Sequence, residues 1–169
     1  MRRMTILLLA VLSATFFHGC RTNRTVTLTA EDIRTITTRT FGANYAQVYK
    51  ATLATLNQGD YLITNTDYRA GIIAGEKTET ETADVLSSLI ANAEATQYQY
   101  KANILLDSLA PRQTKVQMTI FIYETTHYED RSPSATSGRK TLNRSLYNSL
   151  FTKISEEIRH IPDSAPPTE

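Results

Sequence analysis

Glu124, His127, Glu129 and Asp130 bring three carboxylates and an imidazole together within seven positions. A histidine flanked by acids is the residue set that holds a divalent cation or moves a proton. The segment around them, Thr125 to Lys140, collects Asp, Arg, Ser, Pro and Gly with almost no hydrophobes. It lacks the helical His-Glu-x-x-His spacing, so a solvated polar loop is expected there and no metal site. A Ser-His-Asp triad needs a poised imidazole, and His160 instead ends a helical pattern, where the dipole favours it as a surface residue. Glu76, Glu79 and Glu81 are close enough in sequence for acid-base pairing, but their polar surroundings predict no burial to raise a carboxyl pKa. Neither a phosphate-cradling Gly-Lys-Ser/Thr loop nor a Gly-x-Gly-x-x-Gly turn occurs. The chain is therefore expected not to be an enzyme and to use no cofactor.

The one residue with distinctive chemistry is Cys20, the sole cysteine. Before it come Arg2 and Arg3, an apolar run from Met4 to Phe17 broken by small polar residues, then His18 and Gly19. A membrane span needs about 20 apolar residues, and this run is too short. A charged start, a short hydrophobic middle and a small residue before the cut are the parts of an export signal. Phe17-His18-Gly19-Cys20 resembles a bacterial lipoprotein junction. That resemblance implies removal of residues 1–19 and acylation of Cys20, palmitate included, through its sulfur and its new N-terminus. It also implies an outer-membrane location facing the periplasm, since Arg21 stands where inner-membrane lipoproteins often carry Asp.

Cutting before Cys20 leaves 150 of the 169 residues, with 16 basic and 17 acidic side chains. Near-neutral charge argues against nucleic acid as a partner and against a polybasic grip on anionic lipid. The length suits one domain with a sizeable core. A lone cysteine allows no internal disulfide, so packing and hydrogen bonds must hold the fold.

The elements follow from periodicity. Residues 20–32 read as anchor and tether, and one α+β domain is expected over 33–161. The β-branched density of Ile33 to Phe41 predicts a strand. Asn44 to Gln58 predicts a helix, with Asn44 and Gln47 as a capping box and Gly59 as a left-handed stop. Tyr61 to Tyr68 and Gly71 to Thr78 predict a hairpin. Residues 79–97 read as an insertion with a short helix, whose Val85, Leu86, Leu89 and Ile90 recur at helical spacing; this is either a flap or a hydrophobic arm for a partner. Tyr98 to Leu106 and Lys115 to Tyr123 alternate as half-buried antiparallel strands. Residues 125–140 form the polar loop. Asn143 to His160 predicts a last helix with Leu146, Tyr147, Leu150, Phe151, Ile154 and Ile158 on its buried face, and 162–169 a flexible tail. The order strand-helix-strand-strand-insertion-strand-strand-helix is best buried as a twisted antiparallel sheet of about five strands with two helices on one face.

From Ile33 to Ile158 the chain resembles small bacterial lipoproteins whose soluble domain is similar to those of BamC, an accessory lipoprotein of the outer-membrane β-barrel assembly machine. The resemblance is carried by Arg39-Thr40-Phe41, Ala54 to Gly59, Tyr61-Leu62-Ile63, Gly71 to Lys77, and Leu146-Tyr147 with Leu150-Phe151 and Ile154. It implies a helix-grip fold and brings no catalytic or ligand residue. The expected role is a non-catalytic lipoprotein serving as accessory or scaffold in an envelope or secretion complex, with a protein partner met through Val85, Leu86, Leu89 and Ile90. The alternative is a binder of a small hydrophobic ligand between helix and sheet, with Tyr98, Tyr100 and Met118 as liners.

Overall fold

The Asp32 carboxylate accepts two hydrogen bonds from one residue, Thr29. They come from the Thr29 backbone N–H at 3.0 Å and the Thr29 hydroxyl at 2.7 Å, while the Asp32 N–H donates back to the Thr29 hydroxyl at 3.1 Å. This capping box starts a helix where the sequence predicted a strand. In the computed structural model, which describes residues 28–82, 93–128 and 135–163, α1 spans Ala30–Thr37 and only Thr38–Phe41 extends as β1. Asp in place of the more usual Glu or Gln hid the box. Ile36 turns into the core, and the Thr37 hydroxyl bonds back to the Ile33 carbonyl at 2.9 Å, so two β-branched residues are spent inside a helix.

Helix α2, Tyr45–Gln58, begins at the predicted capping box: the Asn44 side chain accepts from the Gln47 N–H, and the Gln47 side chain from the Asn44 N–H. Its end differs from expectation. Gly59 has a φ of −92°, and the left-handed residue is Asp60, with φ of 60°. The Asp60 N–H reaches Asn57 O and the Tyr61 N–H reaches Leu56 O, a Schellman pair set one residue later than a glycine stop would give.

Strands β2 (Leu62–Asp67), β3 (Ile72–Thr82), β4 (Ala93–Ala110), β5 (Gln113–Tyr128) and β6 (Ala135–Lys140) precede helix α3 (Arg144–His160). All pair antiparallel in the order β1-β5-β4-β3-β2, with β6 also on β5. The fold is thus α+β, an open antiparallel sheet of six described strands with three helices. Part of the expected insertion is strand: the β3–β4 ladder continues from Glu79↔Tyr98 to Thr82↔Ala95, and residues 83–92 lie outside the described residues. Likewise Thr125 to Tyr128 and residues 135–140 are strand, not loop. Both corrections have one cause. These stretches lie past the rows that the helices cover, so polar residues occupy both faces and the apolar alternation that marks a half-buried strand disappears.

The core lies between the sheet and α2 with α3. Val48, Ala51, Met118, Ile120, Val116, Tyr147 and Ile154 are fully enclosed. Alternate residues face away, where Ile72 and Leu105 are each 39% exposed. The turn between β2 and β3 is closed by Gly71 at φ of 71°, where a Cβ would stand 2.2 Å from the Leu106 carbonyl oxygen. The same Gly71 carbonyl accepts from the Leu106 N–H at 2.8 Å.

Two substitutions probe this frame. Gly71→Ala forces both a strained φ and a backbone collision, and should lower the unfolding free energy by about 3 kcal/mol in denaturant titration. Tyr147→Phe removes a hydroxyl that receives the Ile120 N–H at 3.1 Å and donates to the Thr141 carbonyl at 3.2 Å. It should lower stability by about 1–3 kcal/mol and speed hydrogen exchange at the Ile120 amide.

Candidate docking surface

The outer edge of β5 carries two strands end to end. β1 pairs along Thr114 to Gln117 and β6 along Phe121 to Thr126. Ile120 turns both backbone groups toward this edge, its carbonyl to the Thr141 N–H and its N–H to Tyr147. Antiparallel pairing alternates, so Val116 also bonds outward, to its partner Arg39, and Thr40 between the bonded pairs turns its own N–H and carbonyl away from the sheet. No described strand pairs with that side of β1.

Side chains alternate with the backbone. Arg39 and Phe41 share the helix side, opposite Val116 and Thr114, whereas Thr40 lies opposite Lys115 on the other face. Arg39 donates to Asn148 Oδ1 at 3.0 Å and its guanidinium sits 5.3 Å above the Phe151 ring. Phe41 and Phe151 pack with ring centroids 6.3 Å apart. Together β1 and α3 wall a groove of about 530 Å³, with Arg39, Phe41, Phe151, Ser155, Glu156 and Arg159 among its lining. Arg39 and Arg159 form no ion pair among the described residues, while Arg34 pairs with Glu31 at 2.9 Å and Lys115 with Asp107 at 2.7 Å.

Titration is perturbed elsewhere, at a buried phenol, Tyr61, and a half-buried one, Tyr45. The Tyr61 hydroxyl is enclosed without a hydrogen-bond partner among the described residues. Burial, reinforced by Glu79, pushes its pKa up to about 12. Burial, with Tyr49 and Tyr68 beside it, lifts Tyr45 to about 12 as well. Folded phenols that stay neutral while unfolded ones ionise near 10 add stability that is complete below pH 10 and disappears as the pH rises toward 12. Ultraviolet titration should therefore show at least two of the nine tyrosines ionising only near pH 12. Tyr61→Phe should remove one of them without lowering stability at neutral pH, because it deletes an unsatisfied polar atom.

The residues singled out from sequence do not converge. Cys20 and the set Val85, Leu86, Leu89 and Ile90 lie outside the described residues. Glu129 and Asp130 do too, Glu124 is half-buried in β5, and His160 is exposed at the end of α3. Glu76 and Glu79 occupy opposite faces of β3. Glu76 lies 3.7 Å from Lys101, and Glu79 bonds Lys77 at 2.6 Å, a hydrogen bond that holds its carboxyl below the usual range. Met118 is fully enclosed, and the Lys77 ammonium lies 5.0 Å above the Tyr100 ring. In the sequence Arg39-Thr40-Phe41 stands only as part of a resemblance that brings no ligand residue. The signal was there in the i, i+2 relation of Arg39 to Phe41, which puts the cation on the face that the phenylalanine buries.

No protein-family model matches this chain, and no curated protein does. Among solved structures, a DUF4468 family protein from Bacteroides ovatus matches at 16% identity with a TM-score of 0.42, over 76% of this chain and 88% of that one.

Proposed function

We propose that the chain is a non-catalytic lipoprotein, held by acyl groups on Cys20 in the outer membrane on its periplasmic side, that acts as accessory or scaffold in an envelope or secretion complex. The BamC-like relationship belongs to the same proposal. The observation that supports docking over carriage is the filled space between helices and sheet. Val48, Met118, Ile120 and Tyr147 each have no exposed surface there, and Met118, a candidate pocket liner, is one of the residues that fills it. A carrier of small hydrophobic ligands needs an apolar cavity of roughly 300 Å³ or more at that place. The outer surfaces, including the unpaired side of β1, are left for contact.

Anchoring and docking can be tested together in cells. The native chain should incorporate an alkyne-tagged palmitate and fractionate with membranes, and Cys20→Ser should lose the label and become soluble. Formaldehyde crosslinking followed by mass spectrometry should recover a discrete envelope protein with the native chain and not with Cys20→Ser. An unlabelled native chain would remove the anchor from this reading. Adducts to lipid alone would move it to carriage.

A further inference from the structure

We infer that β1 receives an extended, acidic segment of the partner protein as an added strand. The inference rests on the docking reading above and names its place and chemistry. Thr40 presents an N–H and a carbonyl to the open side of β1, the donor and acceptor that a new strand needs. Alternate side chains of such a strand would point into the groove beside α3, toward Arg39, Arg159 and the Phe151 ring. The others would pass over Thr40 and Lys115.

Charge selects among occupants. Two guanidiniums without carboxylate partners face the groove against one carboxylate, Glu156, so an acidic side chain between the arginines gains charge-assisted hydrogen bonds. A second copy pairing through β1 about a two-fold axis would bring Arg39 toward Arg39, at a like-charge penalty. The chain's own segment before Leu28 carries Arg21 and Arg24 and meets the same penalty. Its C-terminal stretch contains Pro166 and Pro167, which have no N–H to donate.

The test uses the full chain in detergent micelles and a fluorescein-labelled probe peptide, Thr-Glu-Val-Glu-Thr-Glu-Val, with a counterpart carrying Lys for Glu. The acidic probe should bind at least about tenfold more tightly than the basic one, and its binding should protect the Thr40 amide from hydrogen exchange. Arg39→Glu and Arg159→Glu should each weaken it about tenfold. Thr40→Pro should abolish binding while leaving the β1–β5 ladder intact, because the N–H that it deletes faces outward; Thr40→Val, which keeps the N–H, should bind normally. Circular dichroism confirms that each variant is folded. No saturable binding below about 1 mM overturns the inference. So does equal binding of the basic probe, or protection confined to other strands. Stronger binding by a peptide of residues 21–30 assigns the groove to the chain itself. If the crosslinked envelope protein is recovered undiminished with Arg39→Glu and Thr40→Pro, the edge inference falls while the docking reading stands.

Discussion

The hydroxyl of Tyr147 stands where a strand is missing. β1 and β6 come from opposite ends of the domain and meet on one edge of β5, but between them Ile120 would have an amide without a partner. The Tyr147 hydroxyl accepts from that N–H and donates to the Thr141 carbonyl. A buried, unpaired N–H would cost about 1–3 kcal/mol, so the position of α3 is tied to the sheet by more than apolar contact. The same helix turn presents Phe151 to Arg39 and Phe41. The seating of α3 against the sheet, and with it the α3 wall of the groove, therefore leans on one side chain.

How far the sequence discloses the fold is clearest where the helices stop. Ala102, Ile104 and Leu106 on β4 and Val116, Met118 and Ile120 on β5 alternate with mostly polar neighbours, Leu105 and Phe121 excepted, and their burial is as the pattern predicts. At the far end of the β3–β4 ladder, Glu79, Glu81, Thr96 and Gln97 give no such contrast, because no described helix covers that end. The ladder nevertheless continues. Strand hydrogen bonding is a backbone property, and alternation reports only the cover. A polar run was therefore read as insertion or loop where it is sheet in solvent. At α1 the error has another source: local β propensity in Ile33, Thr35, Ile36 and Thr37 yields to a cap and to one buried isoleucine.

The candidate surface was less legible than the core, for a geometric reason. Arg39 and Phe41 disclose their shared face through a two-residue spacing, but the groove exists only once α3, from the far end of the chain, lies beside them. No local pattern in residues 38–41 announces Asn148 or Arg159. Cys20 presents the reverse case, in which the sequence pattern carries the whole expectation and the described residues begin beyond it.

The two-residue turn at Pro111 and Arg112 is the shortest connection between described strands, whereas β1 reaches β5 across most of the domain. Loop-closure entropy therefore makes the β4–β5 turn the cheaper closure and the β1–β5 pairing the costlier one. Non-local pairings at an edge open by sub-global fluctuation more readily than central ones. The strand that borders the groove thus rests on a pairing that closes a long loop and, at four residues, is the shortest of the described strands.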